Sequence, residues 1–284
     1  MIFLGTGAAE MIPDPFCSCD VCSYARKHPE EQRVRSSFMI DNNTLIDIGP
    51  DVFASSMKFG VNLNSLKNIL ITHTHEDHFC IDNLNIISCN IPKPKDMFTV
   101  HLSPEGYEFV TSMTKVMKEI NQNPMSCVDN GFYNYEVHKP FEEFRMDNKT
   151  VFPVVGFHTG RGKNEKSFNY RIKDEKGTLL YALDTGVYPE ETIEALSGVP
   201  VDILIMDATF GSCRMDSGCT HLDAYTFVSQ LERLVKVGTV TSKTRIFASH
   251  INHYNRWKHN EYEKFLKDSC PGLNIPVARD GMVI

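Results

Sequence analysis

The order of segments predicts an α/β chain of two mixed β-sheets with helices on their outer faces. Two observations carry that expectation. Short apolar runs of strand length alternate with segments of helical periodicity along nearly the whole chain. Several of those apolar runs also end in histidine or aspartate, above all Ile69-Leu70-Ile71-Thr72-His73-Thr74-His75-Glu76-Asp77-His78.

The 284 residues, 42% of them hydrophobic, can bury a sizeable core and are read as one domain spanning 1–284. A net charge of -7 without a basic run argues against broad nucleic-acid binding. No apolar stretch approaches the ~20 residues that span a bilayer, so no membrane partner is expected. The opening Met1-Ile2-Phe3-Leu4-Gly5-Thr6-Gly7 lacks a basic region and reads as a first strand rather than a signal peptide. Nine cysteines, only three of them clustered, suit reduced thiols and a metal site better than a disulfide framework. The expected compartment is the reducing cytoplasm.

Taken in order, the first strand runs into Gly5-Thr6-Gly7-Ala8-Ala9-Glu10. Glu10 stands where a dinucleotide-binding fingerprint needs glycine, and Pro13 and Pro15 preclude the helix, so a tight turn is expected. A helix is predicted over Cys22 to Gln32. Ser37 to Ile40 and Thr44 to Ile48 form a hairpin around Asp41-Asn42-Asn43. Asp51 to Phe59 is a helix closed by Gly60. After the histidine cluster come a helix over Ile81 to Ile87, a strand over Phe98 to His101 and a helix over Pro104 to Ile120. The stretch 121–148 is irregular, and the whole of 102–149 is read as an excursion. Strands follow at Val151 to Phe157, Ser167 to Ile172, Thr178 to Leu183, Val201 to Met206 and Arg245 to Ala248. Helices are predicted at Glu190 to Leu196, Leu222 to Val237 and His259 to Lys267. Ile275 to Val277 and Met282 to Ile284 are short terminal strands.

The cluster His73, His75, Asp77, His78 calls for a metal. Four imidazole or carboxylate groups crowded at one strand end would repel when charged and lack partners when neutral. Asp47, inside the apolar run Leu45-Ile46-Asp47-Ile48, needs a partner, and a metal-bound histidine is a natural one. His158, Asp184 and His250 each close a later apolar strand. Cys17-Ser18-Cys19-Asp20-Val21-Cys22 places three thiols within six residues, a set suited to zinc that must recruit its fourth ligand elsewhere.

These motifs resemble the metallo-β-lactamase-fold superfamily over nearly the whole chain, which implies an αββα sandwich. The resemblance implies a first metal held by His73, His75 and His158, a second held by Asp77, His78 and His250, and Asp184 bridging both. Asp47 matches the family's strand-end aspartate that supports a ligand. Zinc, manganese or iron would suit these donors. Asp184 and His75 stand where lactamases and diiron flavoproteins differ, which disfavours lactam hydrolysis and oxygen or nitric oxide reduction. The thiol run around 17–22, with His253 as fourth ligand, is similar to the structural zinc of the cyclic-phosphate phosphodiesterase family of phosphonate degradation. Asp207-Ala208-Thr209-Phe210 is similar to the pyrroloquinoline quinone biosynthesis protein B family.

The function so implied is hydrolysis of a small-molecule or cyclic phosphodiester by hydroxide shared between two metals. Asp77 belongs to that machinery. His221, in Thr220-His221-Leu222-Asp223, is the candidate proton donor to the leaving group, with Asp223 orienting it. The alternatives are a ribonuclease Z-like nuclease and a non-hydrolytic quinone-cofactor protein. The nuclease is disfavoured because 121–148 carries only Lys139 and Arg145 as basic residues. The family resemblance allows a homodimer.

Overall fold

The computed structural model describes residues 1–87, 98–121, 133–216 and 218–284. Its first sheet runs β1 (Ile2–Gly5), β2 (Ser37–Asp41), β3 (Thr44–Ile46), β4 (Asn68–Leu70), β5 (Phe98–Leu102), β6 (Tyr133–Val137), in that spatial order. The pairs β1–β2 and β2–β3 are antiparallel, and the remaining pairs are parallel. The second sheet holds β7 (Phe144–Met146), β8 (Lys149–Thr159), β9 (Lys166–Asp174), β10 (Gly177–Ala182), β11 (Ile203–Asp207) and β12 (Arg245–Ser249), again in sequence order. Its pairs are antiparallel as far as β10 and parallel from β10 to β12. Both sheets are therefore mixed.

Strand periodicity sorts the side chains between two environments. On β3 and β4, Leu45 and Ile69 pack outward, while Ile46 and Leu70 pack inward with Phe38, Tyr170 and Tyr181 of the inter-sheet core. On β10, Leu179 and Tyr181 face that inner core, and Leu180 and Ala182 face outward. Each fully buried leucine or isoleucine among them contributes roughly 1.5–3 kcal/mol.

Helices cover the outer faces. α1 (Asp20–Ala25), α5 (Glu190–Leu196), α6 (Ala224–Lys236) and α7 (His259–Ser269) supply residues to the second sheet's outer core. α2 (Val52–Phe59), α3 (Ile81–Ile87) and α4 (Pro104–Asn121) do so for the first. On α6 the buried Phe227, Leu231 and Leu234 recur at helical spacing. The result is a two-sheet sandwich between helical layers. No helix among the described residues is long and apolar enough to cross a membrane.

Three expectations need correction. The helix over Cys22 to Gln32 is only α1 plus a 3-10 turn at Pro29–Glu31, because Pro29 cannot donate the backbone bond that would continue it. The strand over Ile275 to Val277 shrinks to one bridge, Ala248 to Val277, since Pro276 has no N–H; Met282 to Ile284 likewise gives one bridge, Ile2 to Val283. The irregular stretch 121–148 in fact yields β6 and β7, one edge strand of each sheet among the described residues. Residues 122–132 of that stretch lie outside the described residues. The hairpin joining β2 and β3 forms as expected, with Asn43 N donating to Asp41 Oδ1 at 2.9 Å.

Candidate metal centre

The site is built where strands end. Asp47 follows β3, the His73–His78 loop follows β4, His158 closes β8, and Asp184 and His250 follow β10 and β12. Asp47, Asp184 and His250 all adopt left-handed backbone, with φ of 62°, 52° and 64°. That conformation costs of order 1–3 kcal/mol per non-glycine residue and clusters at functional sites. Here it swings each side chain over the sheet edge directly after its strand. Gly49 lets the ligand loop approach, since a Cβ there would lie 2.0 Å from the Asp77 carbonyl oxygen.

Two donor groups result. His73 Nε2 and His158 Nε2 lie 3.0 and 3.2 Å from His75 Nδ1. In the second group, His78 Nε2 is 3.2 Å from Asp77 Oδ2 and 3.0 Å from Asp184 Oδ2. His250 Nε2 is 3.2 Å from the same Asp184 oxygen. The other Asp184 oxygen lies 4.0 Å from both His73 Nε2 and His158 Nε2. One carboxylate thus faces both groups.

The hydrogen-bond pattern tests whether metal ions fit. Asp47 accepts from Thr72 N at 2.8 Å and from the His78 Nδ1–H at 2.7 Å, so Nε2 is the atom left for a ligand role. Thr209 Oγ1 donates to Asp207 at 2.9 Å and therefore accepts from His250 Nδ1–H, also at 2.9 Å. His78 Nε2, His250 Nε2 and Asp184 Oδ2 are buried and make no hydrogen bond. The two ring nitrogens lie 3.0 and 3.2 Å from the Asp184 oxygen, and each ring's other nitrogen is tied to a carboxylate or hydroxyl, which suits a cation between the three atoms. Two nitrogens on a tetrahedral zinc at ~2.0–2.1 Å would be about 3.3 Å apart, close to these spacings. The donor set fits divalent metals.

Electrostatics agree. Burial pushes the His78 ring down, yet Asp184, Asp77 and Asp47 outweigh it and hold its proton well above the usual imidazole range. Burial alone would raise the Asp184 carboxyl; His250 and His78 outweigh it and hold it well below the usual carboxylate range. Burial, with the His78 charge beside it, keeps the His73 ring neutral, and burial takes His158 down to about 4. His73 and His158 are thus neutral imidazoles and Asp184 an ionised carboxylate, while His78 holds a proton that a metal ion would replace.

His221 sits against this centre, its ring 5.2 Å from that of His250 and 4.7 Å from that of His158. Its orienting partner is not Asp223. The Asp223 carboxylate accepts from Tyr225 N and Thr226 N and caps α6, and also accepts from Met215 N. His221 Nδ1–H instead donates to Asp207 Oδ2 at 3.0 Å. Asp207 ends the apolar strand β11, the same signal that marks Asp184, although Asp223 is the carboxylate nearer to His221 in sequence. A second residue the sequence did not reveal is Glu165. Its buried side chain accepts from Thr74 N at 3.0 Å, Gly162 N at 2.7 Å and the Thr74 hydroxyl, and so anchors the loop carrying His73 and His75.

The thiol loop folds against the segment after β12. Cys17, Cys19, Cys22 and His253 place one donor atom each within 4.8 Å of one another, and Cys19 Sγ lies 3.6 Å from His253 Nδ1. A sulfur and a nitrogen on tetrahedral zinc would be about 3.6 Å apart. Although burial opposes it, the Cys22 backbone N–H and the His253 ring bring the Cys19 thiol down to about 7. His253, three residues beyond His250, ties this loop to the metal centre.

Comparison with known proteins gives the same fold. A PhnP-family diphosphatase crystal structure superposes with a TM-score of 0.72 at 22% identity, covering 99% of this chain and 94% of that one. Zn(2+)-bound PqqB from Methylobacterium extorquens gives 0.64 at 17% identity, over 99% and 98%. The short form of human tRNase Z gives 0.64 at 17% identity, over 100% and 97%. An octanoyltransferase from Porphyromonas gingivalis is 35% identical over 81 residues, 27% of this chain; the match spans only 16% of that relative's length. The Beta-lactamase superfamily domain matches residues 42–251, which include every ligand of the candidate dinuclear centre. By that match and this architecture, the chain belongs to the beta-lactamase superfamily, with the metallo-β-lactamase fold.

Proposed function

We propose that this chain is a metal-dependent hydrolase, and specifically a phosphodiesterase that acts on a small or cyclic phosphodiester. The observation that carries this reading is the placement of Asp184 between two donor groups, with the His221–Asp207 pair beside them. Two divalent ions held by His73, His75, His158 and by Asp77, His78, His250, with Asp184 shared, would supply hydroxide near neutral pH and offset charge growing on a phosphoryl group. Zinc and manganese suit this nitrogen and oxygen set.

The chain's own residues account for the rest of the chemistry. Asp47 and Thr209 fix which ring nitrogen His78 and His250 present. Because the His221 Nδ1–H is committed to Asp207, a protonated His221 can deliver only its Nε2 proton. Burial disfavours that proton, but Asp207 outweighs it and raises the ring to about 9. Cations nearby would bring this value down toward neutrality, where a general acid works best. His221 would then protonate the departing alkoxide.

The names of two similar structures, a diphosphatase and a tRNase Z, support phosphoryl chemistry. A small substrate fits better than RNA, because the stretch 121–148 is poor in basic residues. A reducing cytoplasm, in which Cys17, Cys19 and Cys22 remain thiols, is the compartment this reading requires. The test is a panel of cyclic and linear phosphodiesters, pre-tRNA, thioesters and lactams with metal-loaded protein. Turnover confined to small phosphodiesters is expected. Preference for pre-tRNA would favour a nuclease, and turnover of thioesters or lactams alone would overturn the proposal.

A further inference from the structure

Beyond the dinuclear centre and the thiol loop, a further set of ligand-type side chains converges at the edge of the first sheet. His101 on β5 pairs in register with Glu136 on β6. Strand periodicity puts Glu136 and His138 on the same side, so all three meet. His101 Nδ1 lies 2.9 Å from His138 Nε2. Glu136 Oε2 is 3.6 Å from the first nitrogen and 3.9 Å from the second.

A chain of hydrogen bonds fixes the protonation of His101. Asn68 Nδ2 donates to Asp147 Oδ2 at 2.8 Å, which turns the Asn68 oxygen toward His101. His101 Nε2 must then carry a hydrogen and donate to that oxygen, 3.0 Å away. Its Nδ1 is left as a bare lone pair aimed at His138. A ligating histidine is commonly held in this way, its second nitrogen donating to a carbonyl or carboxylate oxygen. The His138 ring is held too, stacked on Phe144 with centroids 3.5 Å apart and planes at 8°. Burial takes His101 down to about 3 and His138 to about 4, which leaves both rings neutral near pH 7, as metal ligands must be.

We propose that His101, His138 and Glu136 form an accessory site for a divalent cation of the zinc class, which clips the edge strand β6 to β5. Donors on a tetrahedral ion at ~2.0–2.1 Å would be about 3.3 Å apart, and the three observed separations bracket that value. The His73, His75 and His158 group of the same protein shows comparable spacings, 3.0 and 3.2 Å. The Glu136 side chain is 50% exposed, so an ion reaches the set from solvent. Two neutral nitrogens with one carboxylate suit zinc or a similar transition ion better than calcium or magnesium. The competing occupant is a proton, with His138 Nε2–H donating to His101 Nδ1.

The test uses the full chain, stripped with chelator and reloaded with zinc, with bound metal counted. His138→Phe keeps a ring against Phe144 and should bind one equivalent fewer than the native protein. Glu136→Gln should weaken zinc uptake at this site about 10-fold or more. In the native protein, the ¹⁵N signals of His101 Nδ1 and His138 Nε2 should both move when zinc is added. Equal metal content in the native protein and His138→Phe, or ring nitrogens unmoved by zinc, would overturn the proposal. If His138→Phe folds poorly, the native nitrogen signals decide alone. The one-equivalent difference does not depend on what the dinuclear centre holds, so this site and the phosphodiesterase reading stand or fall separately.

Discussion

Replacing Asp207 by Asn separates two accounts of how the proton donor is positioned. The buried Asp207 carboxylate accepts from His221 Nδ1 at 3.0 Å, Leu222 N at 3.0 Å and Thr209 Oγ1 at 2.9 Å. Asparagine keeps the shape and removes the charge. A ring held at about 9 instead of the ordinary 6.5 has its protonated form favoured by roughly 3 kcal/mol. Without that charge His221 is mostly neutral at pH 7–8 and has no fixed tautomer. Turnover of an alkyl phosphodiester should then fall about 10²–10⁴-fold, the usual worth of a general acid. Turnover of a nitrophenyl ester, whose leaving group needs no proton, should fall far less, and His221→Ala should show the same pattern. Asp223→Asn, which keeps an N-cap oxygen on α6, should instead change stability little and leave the leaving-group dependence unchanged. The assay is kcat against leaving-group pKa for all three variants, with bound metal counted, because Asp207 also supports His250 through Thr209. Equal losses on both substrates for Asp207→Asn, or a steeper dependence in Asp223→Asn, would refute this assignment.

Cys22→Ser should lower metal content by about one ion per chain and lower Tm, since a closed thiolate site contributes folding energy; unchanged stoichiometry would remove the structural zinc from the account. Glu165→Gln turns an amide N–H toward the donors of Thr74 and Gly162, at a cost of about 1–3 kcal/mol, seen as a lower Tm and weaker metal retention. His259 is held down to about 3 by burial and by the Arg33 and Arg279 charges, whereas the unfolded ring titrates near 6.5. The unfolded state therefore binds more protons between these values, so stability is full above pH 6.5 and falls as pH drops toward 3. Denaturant titrations of His259→Asn should show a flatter fall over that window.

What could be read from the residues follows from local physics. The strand runs and their metal-type end residues are local signals, and they located the histidine cluster, His158, Asp184 and His250. The partnership of Asp207 with His221 was hidden because it joins a strand end to a loop fourteen residues later, while Asp223 stood nearer in sequence. Asp223 has instead the N-cap role that its position before an apolar periodic segment suggests. Glu165 was hidden for a different reason: a glutamate among Arg161, Lys163 and Lys166 looks like a solvated loop residue, yet the fold buries it beneath Thr74. The strands β6 and β7 are short and lie in a stretch without clear periodicity, so only pairing with their sheets defines them. The left-handed turns at Asp47, Asp184 and His250 likewise carry no glycine to announce them.

The central claim is that two donor groups sharing Asp184 hold the metals that make this chain a phosphodiesterase. Its most direct test is turnover of a cyclic phosphodiester by chelator-stripped protein as zinc or manganese is restored, with Asp184→Asn alongside. Activity should be lost on stripping, return as the dinuclear centre fills, and stay absent in Asp184→Asn, which should also retain fewer ions. Full turnover by the stripped protein, or native turnover in Asp184→Asn, would contradict the account.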